Sequence, residues 1–229
     1  VFVVKAGPAF PNAGFRGRTS TDSRTLSTKS YAAFGQLTYD LTDQFGVTIG
    51  GRWTKDKKDD DRAVSIFGLI NYTATPKKSW TAFTPSATLN FKPTEDVLTY
   101  FSYRRGFKSG GFQALLASSA TVANIPFNPE KVDSYEFGVK ATLLDRTLTA
   151  NLALFRSDIT DQQVSRTISA TQIYIDNAGE TRAEGLDFVF VARPSRRLTV
   201  TASGTYQKAK FRKFQSGAIS YKGKHQLRS

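Results

Sequence analysis

The 229-residue sequence predicts an all-β fold, an antiparallel up-and-down meander that crosses a membrane on strands as a partial segment of a larger barrel. Three observations predict it. Apolar and polar side chains alternate with period two, which gives a sheet one apolar and one polar face. In Phe45-Gly46-Val47-Thr48-Ile49-Gly50-Gly51-Arg52-Trp53-Thr54 the odd positions include Phe, Val, Ile and Trp. Runs of about ten residues exceed the roughly 5–6 usual in soluble sheets and match the roughly 9–11 of a tilted membrane strand. Second, four short turn-like segments recur: Leu41-Thr42-Asp43-Gln44, Lys92-Pro93-Thr94-Glu95-Asp96, Leu144-Asp145-Arg146-Thr147 and Arg193-Pro194-Ser195-Arg196-Arg197. Thr42, Thr94, Asp145 and Ser195 stand 52, 51 and 50 residues apart. Third, no apolar run is long enough for a transmembrane helix, and the mean hydropathy of −0.35 suits strands that hide one face in a polar lumen.

The elements follow in order. The first clear strand, 31–40, puts Leu37 and Tyr39 on the apolar face and Gln36, Thr38 and Asp40 opposite. The second, 45–54, sets Phe45, Val47, Ile49 and Trp53 against Thr48 and Arg52. In the third, 80–91, Phe83, Ala87, Leu89 and Phe91 alternate with Thr84, Ser86, Thr88 and Asn90. The fourth, 97–105, is apolar on both faces, so its phase stays open, with aromatics available to point inward against a filled lumen. The fifth, 133–143, divides Tyr135, Phe137, Val139 and Leu143 from Glu136 and Lys140, and the sixth, 148–157, divides Leu148, Leu152 and Leu154 from Thr149 and Asn151. In the seventh, 173–192, Leu186, Phe188 and Phe190 oppose Asp187; in the eighth, 198–210, Leu198 and Val200 oppose Thr199 and Thr201.

Between the strands, Lys55 to Ser79, Gly106 to Val132 and Ile159 to about Thr171 lose the alternation and read as long loops. Short turns at one end and long loops at the other describe an outer-membrane barrel. A soluble double-layer sheet also alternates, but its short strands fit this pattern poorly. Val1-Phe2-Val3-Val4 reads as the tail of a further strand, and Leu227-Arg228-Ser229 stops without an element to end. The whole chain, 1–229, is therefore expected to be one fragment of a barrel domain.

Composition narrows the chemistry. Cysteine and methionine are absent, which removes disulfides and thiolate metal sites. His225 is the only histidine, so neither a His-based triad nor a multi-His metal centre can form, and the chain is read as no enzyme, with no cofactor. Gly106-Phe107-Lys108-Ser109-Gly110-Gly111 has the wrong order for a phosphate loop; its glycines suit a chain that leaves a strand and folds over the barrel mouth. Asp56, Asp59, Asp60 and Asp61 sit among Lys55, Lys57, Lys58 and Arg62 and read as a solvated loop tip, with a hard-cation site as the competing reading. The formal net charge is +13, yet it is scattered along a membrane-type pattern with no nucleic-acid motif, so no nucleic acid is expected as a partner.

At this point the sequence resembles a known family. Tyr100-Phe101-Ser102-Tyr103-Arg104-Arg105-Gly106-Phe107-Lys108-Ser109-Gly110-Gly111-Phe112 is similar to the "Y-x-S-x-x-R-G-F-K-S-G-G-F" stretch of TonB-dependent outer-membrane receptors. Pro129-Glu130-Lys131-Val132-Asp133-Ser134-Tyr135-Glu136-Phe137-Gly138-Val139-Lys140 resembles their "P-E-x-V-x-S-Y-E-x-G-x-K" strand, and Asn177-Ala178-Gly179-Glu180-Thr181-Arg182-Ala183-Glu184-Gly185-Leu186-Asp187 their "N-A-G-E-x-R-x-x-G-L-E". Phe34 to Asp43 and Gly51 to Asp56 fit too, so the likeness covers about residues 31–210.

The resemblance implies a transmembrane β-barrel (about 22-stranded) with an N-terminal plug, in the outer membrane of a Gram-negative bacterium. It implies active uptake of a ferric siderophore or a similar scarce ligand, powered through the TonB complex. The plug domain, a TonB box and the C-terminal strands are expected to lie outside this segment. A passive porin-like channel and a structural or adhesive barrel are the alternatives. Cations near the long-loop end are the ligand-binding candidates: Arg104, Arg105, Lys108, Lys140, Arg156 and Arg182, at the mouth and in the lumen. A mouth of one sign concentrates oppositely charged solutes, and many ferric chelates are anionic. The competing partners for these cations are outer-membrane lipid and the phosphates of lipopolysaccharide.

Overall fold

The computed structural model describes residues 2–5, 19–68, 70–113, 119–169, 172–216 and 219–224. Ten strands form one antiparallel sheet: β1 (Phe2–Lys5), β2 (Thr19–Asp40), β3 (Phe45–Ile66), β4 (Ile70–Ala74), β5 (Lys77–Thr94), β6 (Val97–Lys108), and, after a long excursion, four more. Inside that excursion β7 (Gly111–Phe112), the short helix α1 (Ala120–Ala123) and β8 (Pro126–Phe127) form a separate small unit. The sheet resumes with β9 (Glu130–Leu143), β10 (Leu148–Ser169), β11 (Gln172–Ser195) and β12 (Leu198–Lys213), and β13 (Gln215–Ser216) pairs with β14 (Ile219–Ser220) beyond it. Apart from β4, which pairs only with β3, each sheet strand pairs with the next sheet strand in the chain, in the order β1-β2-β3-β5-β6-β9-β10-β11-β12.

The four short turns join β2–β3, β5–β6, β9–β10 and β11–β12 at one end of the sheet. Turn chemistry explains their tightness. The Thr42 hydroxyl accepts the backbone N–H groups of Gln44 (3.2 Å) and Phe45 (3.0 Å), and the Thr147 hydroxyl donates to the Leu144 carbonyl (2.6 Å). Leu144, Asp145 and Arg146 all hold positive φ, so this turn is a left-handed stretch made without glycine.

Register fixes the faces. Tyr39 pairs with Val47, Val47 with Leu89, Leu89 with Phe101, Phe101 with Phe137, Phe137 with Leu154, Leu154 with Leu186 and Leu186 with Tyr206. Paired residues point the same way, so this row crosses the sheet as one apolar line. All the residues expected on the apolar face share it, and all those expected on the polar face share the other. The undecided strand resolves as well: Thr99, Phe101 and Tyr103 face outward, while Leu98, Tyr100 and Ser102 face the polar side. The Tyr100 ring lies over Gly138, its cross-strand partner, where any Cβ would collide with it. The outward run on β3 ends at Trp53 and that on β9 at Tyr135, yet Tyr135 aligns through Tyr103 and Ala87 with Ile49 and not with Trp53. The apolar boundary thus runs obliquely to the hydrogen-bond rows, as tilted strands in a bilayer require.

Among the described residues no second layer covers this apolar face. Leu154 is 58 % exposed, Phe137 50 % and Ile49 52 %. Buried apolar side chains among the described residues are few, namely Val64, Ala74, Trp80, Phe112 and Ala123. A soluble double-layer sheet would bury its apolar faces against each other; this one leaves them for hydrocarbon.

Two of the expected loops are corrected. Lys55 to Ile66 continues β3, and Ile159 to Ser169 continues β10, each paired far past the apolar band. The alternation fades there because both faces are polar, while backbone pairing carries on. The Asp56–Asp61 run is therefore strand and not a loop tip. Residues 114–118 of the expected Gly106 to Val132 loop, and His225, lie outside the described residues.

Strand phase is testable at one dipeptide in the full-length protein. Val139 pairs with Thr99 and Leu152 in the middle of the outward band, and Lys140 faces the polar side. Val139→Arg should cost about 2–4 kcal/mol of folding stability in lipid, and Lys140→Gln close to nothing. Urea titration in bilayers checks both; a neutral Val139→Arg would reverse the facing of β9.

Candidate functional site

The chain leaves β6 at Lys108 and folds inward across the polar face. Trp80 on β5 is the platform: it is buried, its ring centroid lies 5.6 Å from that of Phe112, and the ammonium groups of Lys58 and Lys78 sit 5.7 and 5.6 Å from its ring. Lys58 also donates to the Gly110 carbonyl at 2.6 Å. Gly110 packs so closely on Trp80 and the Phe127 carbonyl that a Cβ there would overlap both, which is the reason for glycine at this position. Burial lowers the pKa of Lys58, and the nearby Asp56 carboxylate opposes the shift in part.

Gln113 ties the segment down. Its side-chain amide donates to the Ile175 carbonyl (3.0 Å) and accepts from the Ile175 N–H (2.8 Å), while its own carbonyl accepts from Arg62 (3.0 Å). Arg62 is on β3 and Ile175 on β11, five strand intervals apart in the sheet order. A flat sheet would set those strands about 24 Å apart, at about 4.8 Å per interval. One glutamine reaching both means that the sheet curves, with the polar face on the inside.

The far edge of the segment is held by amides. Gln163 donates to the carbonyls of Ser109 and Asn128, both at 3.0 Å, and its backbone N–H donates to Glu130 Oε2 (2.9 Å). Asn177 accepts the Asn128 N–H (2.7 Å) and donates to the carbonyls of Asn128 and Asp161, both at 2.8 Å. The sheet slips register here, between Ile159 and Gln162, with Asp161 at positive φ; the bulge turns Gln163 toward the segment, while the Gln162 side chain accepts from the Thr181 hydroxyl (2.7 Å). The motif stretches around Gly110, Pro129 and Asn177 thus meet at one joint.

Buried charge flanks the platform. Arg24 grips Asp60 with two bonds of 2.7 and 2.8 Å, and Arg62 stands 3.6 Å from Asp22. Strand parity sends Asp56 and Asp60 to the concave face and Asp59 and Asp61 to the other, so the acidic run does not converge on one point. Among the described residues no three His, Cys, Asp or Glu side chains group closely enough to hold a metal ion.

The six expected ligand-binding cations divide by parity. Arg104, Lys108 and Lys140 are on the concave polar face, where Lys140 lies 5.5 Å from the Tyr100 ring and the Tyr100 hydroxyl donates to Glu136 (2.7 Å). Arg104 and Lys140 stand about 20 Å apart along the wall, at about 3.3 Å per residue, and so do not form one cluster. Arg105, Arg156 and Arg182 stand on the outward face, not in the lumen, because they share parity with Tyr103, Leu154 and Leu186. Arg105 makes a forked pair with Asp133 (2.8 and 3.0 Å), and Tyr103 donates to the same carboxylate (2.6 Å). Arg156 and Arg182 converge on Asp158, at 2.9 and 2.6 Å. Burial would raise the Asp158 carboxyl, but these two guanidiniums outweigh it and hold its pKa below the ordinary value. Sequence reasoning did not find Trp80, Gln113 or Gln163. Nothing in their neighbourhoods separates them from surface residues, although Asn177 lies within a motif.

Known proteins share this architecture. A family profile described as TonB dependent receptor-like, beta-barrel, matches residues 4–226. The probable TonB-dependent siderophore receptor PiuA of Acinetobacter baumannii is 25 % identical over 170 residues, 73 % of this chain and 22 % of the relative. The pesticin receptor of Yersinia pestis is 28 % identical over 169 residues, 74 % of this chain and 24 % of its own length. The crystal structure of the ferric yersiniabactin uptake receptor FyuA from Yersinia pestis superposes with a TM-score of 0.74 at 23 % identity, covering 93 % of this chain and 31 % of that one. The chain thus spans less than a quarter of the length of these curated relatives.

The inward segment should depend on its glutamine. Gln113→Leu strands the Ile175 N–H and C=O, at a cost of about 1–3 kcal/mol. Limited proteolysis of the full-length protein should then cut within 109–128 about tenfold faster, with the heat-dependent gel mobility of the barrel unchanged. Unaltered cleavage would mean that the segment is held elsewhere.

Proposed function

Since the chain belongs to the TonB dependent receptor-like β-barrel family, we propose that it forms the wall and part of the mouth of an outer-membrane receptor for active uptake of a ferric siderophore or a similar metal chelate. The observation that carries this reading is the segment 109–128. Its described parts, 109–113 and 119–128, lie on the concave face of the sheet and are anchored on both flanks, from Lys58 and Arg62 to Gln163 and Asn177. A peptide anchored on the lumen wall narrows and shapes the mouth, which suits a receptor for one class of ligand. An adhesive barrel would instead be expected to keep its specificity in outward-reaching loops.

In this reading the plug, the TonB box and the remaining strands belong to the rest of the protein, and energy arrives from the TonB complex through that plug. The barrel resides in the outer membrane of a Gram-negative bacterium, among outer-membrane lipid and lipopolysaccharide. Arg104, Lys108 and Lys140 line the ligand route on the concave wall. Spread along about 33 Å of strand from Lys108 to Lys140, they suit a path that attracts an anionic chelate better than a single tight pocket.

Transport of radioactive iron bound to candidate siderophores, in cells carrying the full gene, tests this reading. Uptake should require TonB; uptake that persists without TonB would make the protein a passive channel. For an anionic chelate, Arg104→Gln with Lys108→Gln should weaken binding about three- to tenfold, the equivalent of about 0.7–1.4 kcal/mol. The loss should shrink as salt rises. Equal affinity at low salt would remove these two cations from the ligand route.

A further inference from the structure

We propose that the outward face of β9–β12 binds one phosphorylated glycolipid of the outer leaflet, with an acyl chain in an apolar groove and a phosphate monoester on Arg156, Arg182 and Lys208. The inference rests on the reading of this sheet as an outer-membrane wall. It goes beyond that reading by assigning a built lipid site, on the side of the sheet away from the lumen.

The groove comes first. A shallow cavity of about 510 Å³ opens on this part of the sheet, and Phe137, Leu154, Leu186 and Tyr206 line it as one unbroken register row. Arg156 and Lys208 stand at its rim, in the next outward row with Glu184 between them. One row further, Asp158 pairs with Arg182 and Arg182 with Lys210. Apolar side chains thus give way to a belt of charge within one strand step, which is the profile of a lipid with a charged head.

Charge balance selects the head. Arg156, Arg182, Lys208 and Lys210 are set against Asp158 and Glu184, a surplus of two positive charges on a small patch. Neighbouring Arg105 adds none, because Asp133 takes it up in a forked pair. A phosphate monoester carries about −1.5 to −2 near pH 7, whereas a phosphodiester lipid carries about one negative charge. Asp158 also presets the two guanidiniums by drawing both onto one carboxylate, at 2.9 Å from Arg156 and 2.6 Å from Arg182. Each arginine keeps further N–H donors, and the side chains remain 46 % and 27 % exposed. A free inorganic anion would satisfy the rim but leave the groove empty.

The test compares two triple variants of the full-length protein in detergent. Arg156→Gln, Arg182→Gln and Lys208→Gln remove the rim charges; Arg193→Gln, Arg196→Gln and Arg197→Gln remove equal charge at an opposite-end turn. The probe is diphosphoryl lipid A, read by native mass spectrometry, with phosphatidylglycerol and inorganic phosphate as competitors. The rim variant should bind lipid A about tenfold more weakly or worse, and the turn variant within about twofold of wild type. Phosphatidylglycerol should compete weakly and inorganic phosphate should not.

Equal weakening in both triples, no weakening in either, or full competition by phosphatidylglycerol or phosphate would overturn the site. Heat-dependent gel mobility separates this failure from that of the membrane reading: a wild-type protein that lacks it is no barrel, and one that shows it but binds lipid A independently of the rim refutes only the groove. If the rim triple misfolds, Lys208→Gln on its exposed side chain decides by the same readout, with a loss of about threefold expected and none overturning the site.

Discussion

Backbone pairing between antiparallel neighbours governs everything else in this chain. From Thr21↔Ser65 to Asp40↔Gly46 the β2–β3 ladder runs without a slip, and β9–β10 does the same from Leu148↔Leu143 to Thr160↔Lys131. In hydrocarbon an unpaired N–H or C=O costs several kcal/mol, so a continuous ladder is the condition for crossing at all. Once the ladder is in place, side-chain direction follows from parity alone. Slipping one strand by one residue would carry Phe137 and Val139 into the lumen and Glu136 and Lys140 into lipid. Apolar alternation and turn length together prevent that slip.

One break in the ladders coincides with the place that has chemistry. Between Ile159 and Gln162 the register shifts, Asp161 takes a positive φ, and Gln163 and Asn177 emerge to grip the inward segment. Opposite them, β3 and β5 supply Arg62, Lys58 and Trp80. The buried residues of the described structure concentrate at this joint: Asp22, Asp60, Arg62, Trp80, Phe112, Gln113 and Thr181. The fold therefore has a polar core at the mouth, built between a peptide strap and the wall, and no apolar core between two layers. Curvature of the sheet and attachment of the strap are one event, since Gln113 touches strands that a flat sheet would keep apart.

Charge follows the same geometry. The wall cations separate into a concave set and an outward set, and the two serve different environments. On the concave side Lys140 lies over the Tyr100 ring, whose hydroxyl donates to Glu136, and Arg104 stands further along the same wall. On the outward side every arginine just past the aromatic boundary is held by a carboxylate, Arg105 by Asp133 and both Arg156 and Arg182 by Asp158. Such pairing keeps guanidiniums oriented at a level where water is scarce, and it makes the outward belt a structured surface.

Strand identity, face and turn position were legible in the sequence because each depends on local spacing. Period two places Val47 and Lys140 without knowledge of a partner strand, and Thr42, Thr147 and Ser195 announce turns through their own backbone bonds. The sequence also determined that the glycines after Lys108 belong where the chain leaves the wall. What it could not determine depends on which strands become neighbours across space. Lys55–Ile66 and Ile159–Ser169 lose their apolar signal because polar residues stand on both faces, although their ladders continue, so they read as loops. Arg105, Arg156 and Arg182 read as mouth residues because charge alone carries no facing, and only the register against Asp133 and Asp158 sends them outward. Gln113 shows the limit most clearly: its role exists only when β3 and β11 are brought together, and no spacing along a chain records a contact that curvature creates.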